Sequence, residues 1–461
     1  MVSTYRCTLI SPEPGMKSQR QLRSDVARIW TAALRAVDPA AAVRRFVKRD
    51  GNDLVVGRRR FDLAKMNRVW VLGAGKAAAP MAQALERILG DRLSGGMLVT
   101  RYGHGLPLRK LELIEAGHPL PDANSVAAAE RIARMAESEI TPDDVVFWLL
   151  SGGGSALLVA PAPGVNWEDK LVCTRLLLNC GATIRETNAI RKHLSSLKGG
   201  GLARLLASVP VISLILSDVV GDELDSIASG PLVPDTTTFR ECDEILHKLQ
   251  IEDLVPPAVR KRLEAGASGR IPENPKPGDP IFRKKMNLIV GSNAQACSAA
   301  AHAARRLGYH TLVLTSRLEG DTSEAARFHL SILEEIVAEG QPLRRPGCLI
   351  SGGETTVKVV GKGRGGRNQE FALHCVRGLA RLPAPCVVAA LATDGTDGPT
   401  DAAGALVDNT TLARSLRFGA NFLAECLSNN NSYDFFKRLG DLIVTGPTRT
   451  NVMDLHFLLI G

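Results

Sequence analysis

The stretch "RVWVLGAGKAAAPMAQALERIL", residues 68–89, decides the fold. A short β-branched and leucine run gives way to Gly-x-Gly and then to an amphipathic stretch, which reads as strand, tight turn, helix. The same phrase recurs. Strand-like runs fall at 96–100, 111–117, 145–153, 211–218, 287–293, 311–316, 348–353, 387–395 and 442–447, with amphipathic stretches such as 123–139 and 294–308 between most of them. This alternation predicts an α/β protein of two domains, each a mainly parallel sheet flanked by helices. The proline-rich "IPENPKPGDPIF", 271–282, is the linker candidate. It sets the domains at 21–280 and 281–461, after a disordered leader over 1–20. In open α/β sheets ligands bind beyond the carboxyl ends of the strands, so the expected site is an interdomain cleft.

Composition narrows the function. The 461 residues are 45% apolar and 23% charged, ample for two packed cores. A net charge of +9 invites a nucleic-acid reading, but aromatics are only 4% and none interleave with the basic runs. Attraction of small anions accounts for the charge better. Nine scattered cysteines without a C-x-x-C pair point to a reducing, cytoplasmic compartment. The one uncharged window long enough to span a bilayer, 145–167, is interrupted by Gly152–Gly154, Pro161, Pro163 and Gly164, so no membrane span is expected.

The residues that carry chemistry cluster just after the strands. Gly73 and Gly75 belong to a G-x-G-x-x-A turn, the dinucleotide pattern, yet the next strand runs into Arg101 where a ribose-binding acid would stand. It is not a P-loop either, because Trp70 replaces the first glycine and Ala77 the Ser or Thr. What remains is Lys76 in the first turn of a helix, able to attract an anion or simply solvated. Asp218 follows "VISLIL" and suits a general base, a ligand for a hard cation, or a helix cap. Arg364 and Arg367 lie in the glycine-bordered turn "GRGGRNQE", either for phosphate or carboxylate or for an ion pair with Glu370. Asp394 and Asp397 sit in "ATDGTDGPTD", as cleft-facing carboxylates or as Asx turns. Two strands end in Ser-Gly-Gly, at 151–153 and 351–353, which suits bare backbone approaching a ligand.

Eight motifs occur in the order seen in the type II glycerate 2-kinases: "VLGAGKAA", "GHPLPD", "SGGGSALL", "RKHLSSLKGGGLA", "ILSDVVGDELDSIASGP", "SGGETTVKVVGKGRGGRNQE", "ATDGTDGPTDAAGA" and "TGPTRTNVMDL". Over roughly residues 20–461 the chain resembles that family, which joins a Rossmann-like glycerate-kinase N-terminal domain to a C-terminal MOFRL domain. The resemblance implies ATP-dependent phosphorylation of D-glycerate to 2-phosphoglycerate with Mg²⁺. It places the family's active-site residues on Lys76, Asp218 and Arg367. Substrate or nucleotide binding is then expected from Gly73, Gly75, Ser151, Gly152, Gly153, Gly154, Ser155, Lys198, Ser351, Gly352, Gly353, Glu354 and Arg364, and Mg²⁺ binding from Asp394 and Asp397. One departure is Arg449, where many relatives look like T-G-P-T-G-T-N. Two other readings stand beside the kinase: an NAD(P)H-dependent hydroxypyruvate reductase, and a non-catalytic sensor of a phosphorylated metabolite. A homodimer is compatible with all three.

Overall fold

A computed structural model describes residues 17–461. The chain forms two compact units. The first is Ala36–Ser292 together with Arg449–Val452; the second is the described residues up to Arg35, Asn293–Thr448 and Met453–Gly461.

The first unit opens with a small antiparallel sheet, β1 (Val47–Asp50), β2 (Asp53–Val56) and β3 (Arg59–Asp62). Its main sheet holds β4 (Val69–Ala74), β5 (Leu93–Arg101), β6 (Glu112–Ala116), β7 (Val145–Leu150), β8 (Val211–Leu216) and β9 (Lys285–Gly291). The spatial order is β6-β5-β4-β7-β8-β9 and every pairing is parallel. The chain therefore starts in the middle, builds to one edge, then returns to build the other. β4 and β7 flank the point where the direction reverses, and in such sheets that point is where ligands bind. Every residue of β7 and β8 is buried, as a sheet covered on both faces requires. One core lies on this sheet, with Leu72, Val146, Trp148, Leu150 and Ile215. A second, helical core gathers Leu177, Ile190, Phe239, Leu246 and Leu263 from four helices between β7 and β9.

The second unit's sheet contains β10 (His310–Leu318), β11 (Gly347–Gly353), β12 (Cys386–Ala392), β13 (Gly404–Asp408), β14 (Leu442–Ile443) and β15 (Asp454–Ile460). Its order is β10-β11-β15-β12-β13-β14. Only β10 and β11 pair in parallel, so this sheet is mixed rather than mainly parallel. The causes are β15, which inserts antiparallel between β11 and β12, and β13 and β14, which extend the sheet beyond β12 by antiparallel pairings. Helix Arg367–Leu379 covers it with Phe371, Ala372, Cys375, Val376 and Leu379, spaced to share one face.

The α/β class holds in both units, while the divisions along the chain differ from a single boundary near residue 280. The turn Pro280–Phe282 leads into β9, which pairs with β8 and completes the first sheet. The helix Gln19–Ala36 belongs mostly to the second unit, where Arg23 pairs with Asp408 at 2.6 Å and Asp441 at 3.0 Å. Of the expected leader, residues 1–16 lie outside the described residues. Lys17 is buried and paired with Asp25 at 2.8 Å, and the helix begins at Gln19. Among the described residues no helix is long and apolar enough to cross a membrane.

Candidate active site

At the switch point two turns lock together. A Cβ on Gly75, whose φ is +135°, would lie 2.2 Å from Ser151 Oγ, so only glycine admits this approach. The Ser151 N–H donates to the Ala74 carbonyl at 3.1 Å, and the Lys76 N–H to the Gly152 carbonyl at 2.9 Å. Ser151 Oγ accepts from the Ala77 N–H at 2.9 Å, ahead of helix Ala78–Leu89. Lys76 thus sits in the turn before that helix rather than in its first turn, and is 9% exposed. Gly73 is inside β4, where a Cβ would meet the Leu149 carbonyl at 2.6 Å, so its bareness serves strand packing. Gly153 has φ +84°, and an added Cβ would lie 2.8 Å from the His118 ring and 3.5 Å from Lys76 Cγ. His118 and the Lys76 stem therefore flank this turn.

Asp218 stands two residues beyond β8, beside the same turn. Asn451 Nδ2 donates to Asp218 Oδ2 at 3.3 Å. A Cβ on Gly152 would fall 2.2 Å from that oxygen and 2.5 Å from the Asn451 amide. Gly152 is bare because a carboxylate and an amide occupy the space. Gly154 opens the short helix Gly154–Leu157, and Ser155 Oγ lies 3.1 Å from Ser229 Oγ. The Ser155 carbonyl accepts from Lys198 Nζ at 2.9 Å. The first unit so gathers Gly75, Lys76, Ser151–Ser155, Asp218 and Lys198, and adds His118 and Asn451, which sequence reasoning left without a role. The signal for Asn451 was its place in a glycine- and proline-bearing loop; for His118, the motif "GHPLPD".

The second unit organises Arg367. It is the first residue of its helix, and Nη1 donates to Glu354 Oε1 at 2.6 Å while Nη2 donates to Asp454 Oδ1 at 3.2 Å. Nε also pairs with the Asp454 carboxylate. Burial opposes its charge, but Asp454 and then Glu354 raise the guanidinium above its ordinary value. Among the described residues the Arg367–Glu370 pair is not formed. Glu370 instead accepts from Asn430 at 3.3 Å, and burial pushes its carboxyl up to about 7. Arg364 is exposed, 4.4 Å over the Tyr433 ring, with Nε donating to the Pro399 carbonyl at 3.2 Å.

Two expected roles change here. Gly352 and Gly353 are not a loop: they are the last residues of β11, and Cβ atoms there would lie 1.9 Å from Asn293 Oδ1 and 2.2 Å from the Leu318 carbonyl. Ser351 is likewise buried, with Oγ 2.7 Å from His329 Nε2. Asp397 is a poor metal ligand, because it closes the start of helix Arg367–Leu379. Its Oδ1 accepts from the Asn368 N–H at 3.0 Å and its Oδ2 from the Gln369 N–H at 2.8 Å. The Asn368 and Gln369 side chains add bonds at 3.2 and 3.0 Å, and burial lifts Asp397 to about 6. Asp394 accepts from the Thr396 N–H at 3.0 Å. Among the described residues no three acids, histidines or cysteines converge as a metal cage.

Two family models match the chain: a domain of unknown function, DUF4147, over residues 25–264, and the MOFRL family over 347–454. The chain is 42% identical to the glycerate 2-kinase of Pyrococcus horikoshii across 94% of its own length and 96% of that relative. It belongs to the glycerate 2-kinase family. The crystal structure of glycerate kinase from Thermotoga maritima superposes with a TM-score of 0.83 at 37% identity, covering 96% of this chain and 100% of that one. A relative from Agrobacterium vitis, 40% identical over 86% of this chain, carries hydroxypyruvate reductase as a provisional name. Within this family member, Lys76 and Asp218 fall in the DUF4147 match and Arg367 in the MOFRL match. Asn451 also falls in the MOFRL match, yet its short segment, Arg449–Val452, folds with the first unit.

Proposed function

We propose that this chain is a D-glycerate 2-kinase, moving the γ-phosphoryl group of ATP to the 2-hydroxyl of D-glycerate to give 2-phosphoglycerate and ADP. The observation that carries the reading is the Asp218 carboxylate, held by Asn451 against bare Gly152 at the sheet's switch point, beside the Lys76 turn. Asp218 accepts the hydroxyl proton as the oxygen attacks phosphorus. Lys76 neutralises the transferring phosphoryl group, and the Gly152–Gly154 turn offers backbone donors. Arg367 has five N–H donors, so the three bonds to Glu354 and Asp454 leave two for a phosphate or carboxylate oxygen.

Mg²⁺ usually comes with the nucleotide phosphates and takes only one or two protein carboxylates, so it asks for no cage of three ligands. Asp394 is the acid we retain for it; Asp397 is not, because its oxygens serve a helix start. When bound, the ion supplies charge neutralisation at the phosphates. A cytoplasmic setting follows from the scattered cysteines. The reductase reading is disfavoured by the turn itself, since Gly73 is spent on strand packing and β5 ends in Arg101 rather than an acid.

An ADP-release assay with ATP, Mg²⁺ and D-glycerate tests the reading, with NADH and hydroxypyruvate as the control pair. ADP formation dependent on glycerate is the expected result. NADH oxidation without any ADP formation would replace the kinase by the reductase.

A further inference from the structure

Three cations of the first unit lie together, and among the described residues no acid is paired with them. Lys170, on helix Trp167–Asn179, is 8% exposed, and its buried Nζ has no hydrogen-bond partner among the described residues. Arg191 lies on the neighbouring helix Ile184–His193. Lys198, 3% exposed, gives a bond to the Ser155 carbonyl at 2.9 Å. Burial, then the charges of Arg191 and Arg262, lower Lys170 to about 7. Burial, then Lys170 and Arg191, hold Lys198 well below its ordinary value. Burial lowers Arg191 too, and among the described residues the Cys173 thiol is what acts the other way on Lys170 and Arg191. Next to them Lys192 shows the ordinary solution, with Asp225 at 3.1 Å and Asp235 at 3.5 Å. Arg262 is also engaged, donating to the His193 carbonyl at 2.8 Å. One turn before Arg191 on its helix, the buried Thr187 hydroxyl likewise has no partner among the described residues.

Cations held in or near the interior without a counter-charge are unfavourable, so this cluster, with Lys170 and Lys198 buried and Arg191 half-buried, asks for an anion to complete it. We propose that Lys170, Arg191 and Lys198, with the Thr187 hydroxyl, form an oxyanion pocket that takes the carboxylate of the acceptor substrate. This rests on the glycerate 2-kinase reading. The pocket joins the Asp218 corner through the glycine turn: Lys198 holds the carbonyl of Ser155, three residues beyond the Gly152 that abuts Asp218. In a 2-hydroxy acid the carboxylate is bonded directly to the carbon bearing the reacting hydroxyl. A carboxylate drawn to this end therefore brings the hydroxyl toward Asp218 and leaves the Lys76 turn for phosphate. The site would select 2-hydroxy acids over polyols of the same size.

Titration calorimetry on the full-length wild type, Lys170→Gln and Arg191→Gln, with D-glycerate and ATP in separate titrations, decides the matter. D-glycerate should bind each variant at least tenfold more weakly, with ATP affinity within twofold of wild type. Weakened ATP with unchanged glycerate would overturn the carboxylate assignment in favour of a nucleotide phosphate. Unchanged affinity for both, in variants that melt like wild type, would make the cluster structural. If Lys170→Gln does not fold, Thr187→Val replaces it, with the same direction expected. Should wild type bind no D-glycerate, the kinase reading fails on its own. Inorganic phosphate alone then serves as probe, and equal binding to all three proteins would overturn the pocket, while its loss in both variants would sustain it.

Discussion

The Asn451 side-chain amide meets the Asp218 carboxylate at 3.3 Å, joining residues 233 positions apart. A donor on one oxygen fixes the plane of the carboxylate. It also explains Gly152, whose missing side chain is the room that pair occupies. A β8 strand end, a β7 turn and a four-residue excursion of the MOFRL segment thus converge on one acid.

Gly152→Ala tests that convergence. The added methyl would stand 2.2 Å from Asp218 Oδ2 and 2.5 Å from Asn451 Nδ2, both movable side-chain atoms. The fold should survive with a small change in Tm, while kcat falls by at least about tenfold, the expected scale for a misplaced reacting group. Wild-type kcat would show that the pair plays no part in turnover.

How much of this was legible depends on how far each signal reached along the chain. The phrase at 68–89 is local, an apolar run, a glycine turn and an amphipathic helix, and it forms as read. Ser-Gly-Gly at 151–153 and at 351–353 looks alike locally, yet only the first is a turn. The second continues β11 because β15 pairs with it as far as Gly353, a partner about a hundred residues later that no local pattern reveals. β15 itself was missed because "DLHFLLI" carries the buried polar residues Asp454 and His456, which break its apolar run. Arg367 was legible as a cation at a helix start; its acid partners were not, because Asp454 reaches it only through the sheet. Asn451 was hidden for the same reason.

The loop bearing Asn451 holds Arg449 at φ +63°, a left-handed conformation that favours glycine. Arg449→Gly should relieve that strain and raise stability by roughly 0.5–1 kcal/mol, with the glycerate KM changed less than twofold. A lower Tm would instead mean that the arginine side chain makes a stabilising contact.

Glu370 gives a pH signature. Burial lifts its carboxyl from 4.5 to about 7 in the folded protein. Its protonated form contributes stability that is fully present below pH 4.5 and is lost as pH rises through 7. Glu370→Gln removes the proton dependence. The variant should match wild type at pH 5 and exceed it at pH 8, by on the order of 1–3 kcal/mol. Thermal melts at the two pH values read this directly, and a variant less stable than wild type at pH 8 would contradict the burial argument.

The most direct test is steady-state kinetics of Asp218→Asn with ATP and D-glycerate. Asn keeps the size and can still bond to Asn451 but cannot take a proton, so the loss belongs to the transition state. We predict kcat lower by roughly 10²–10⁴ with the glycerate KM little changed. A kcat near wild type would remove Asp218 from the chemistry and leave it a residue that only shapes the turn.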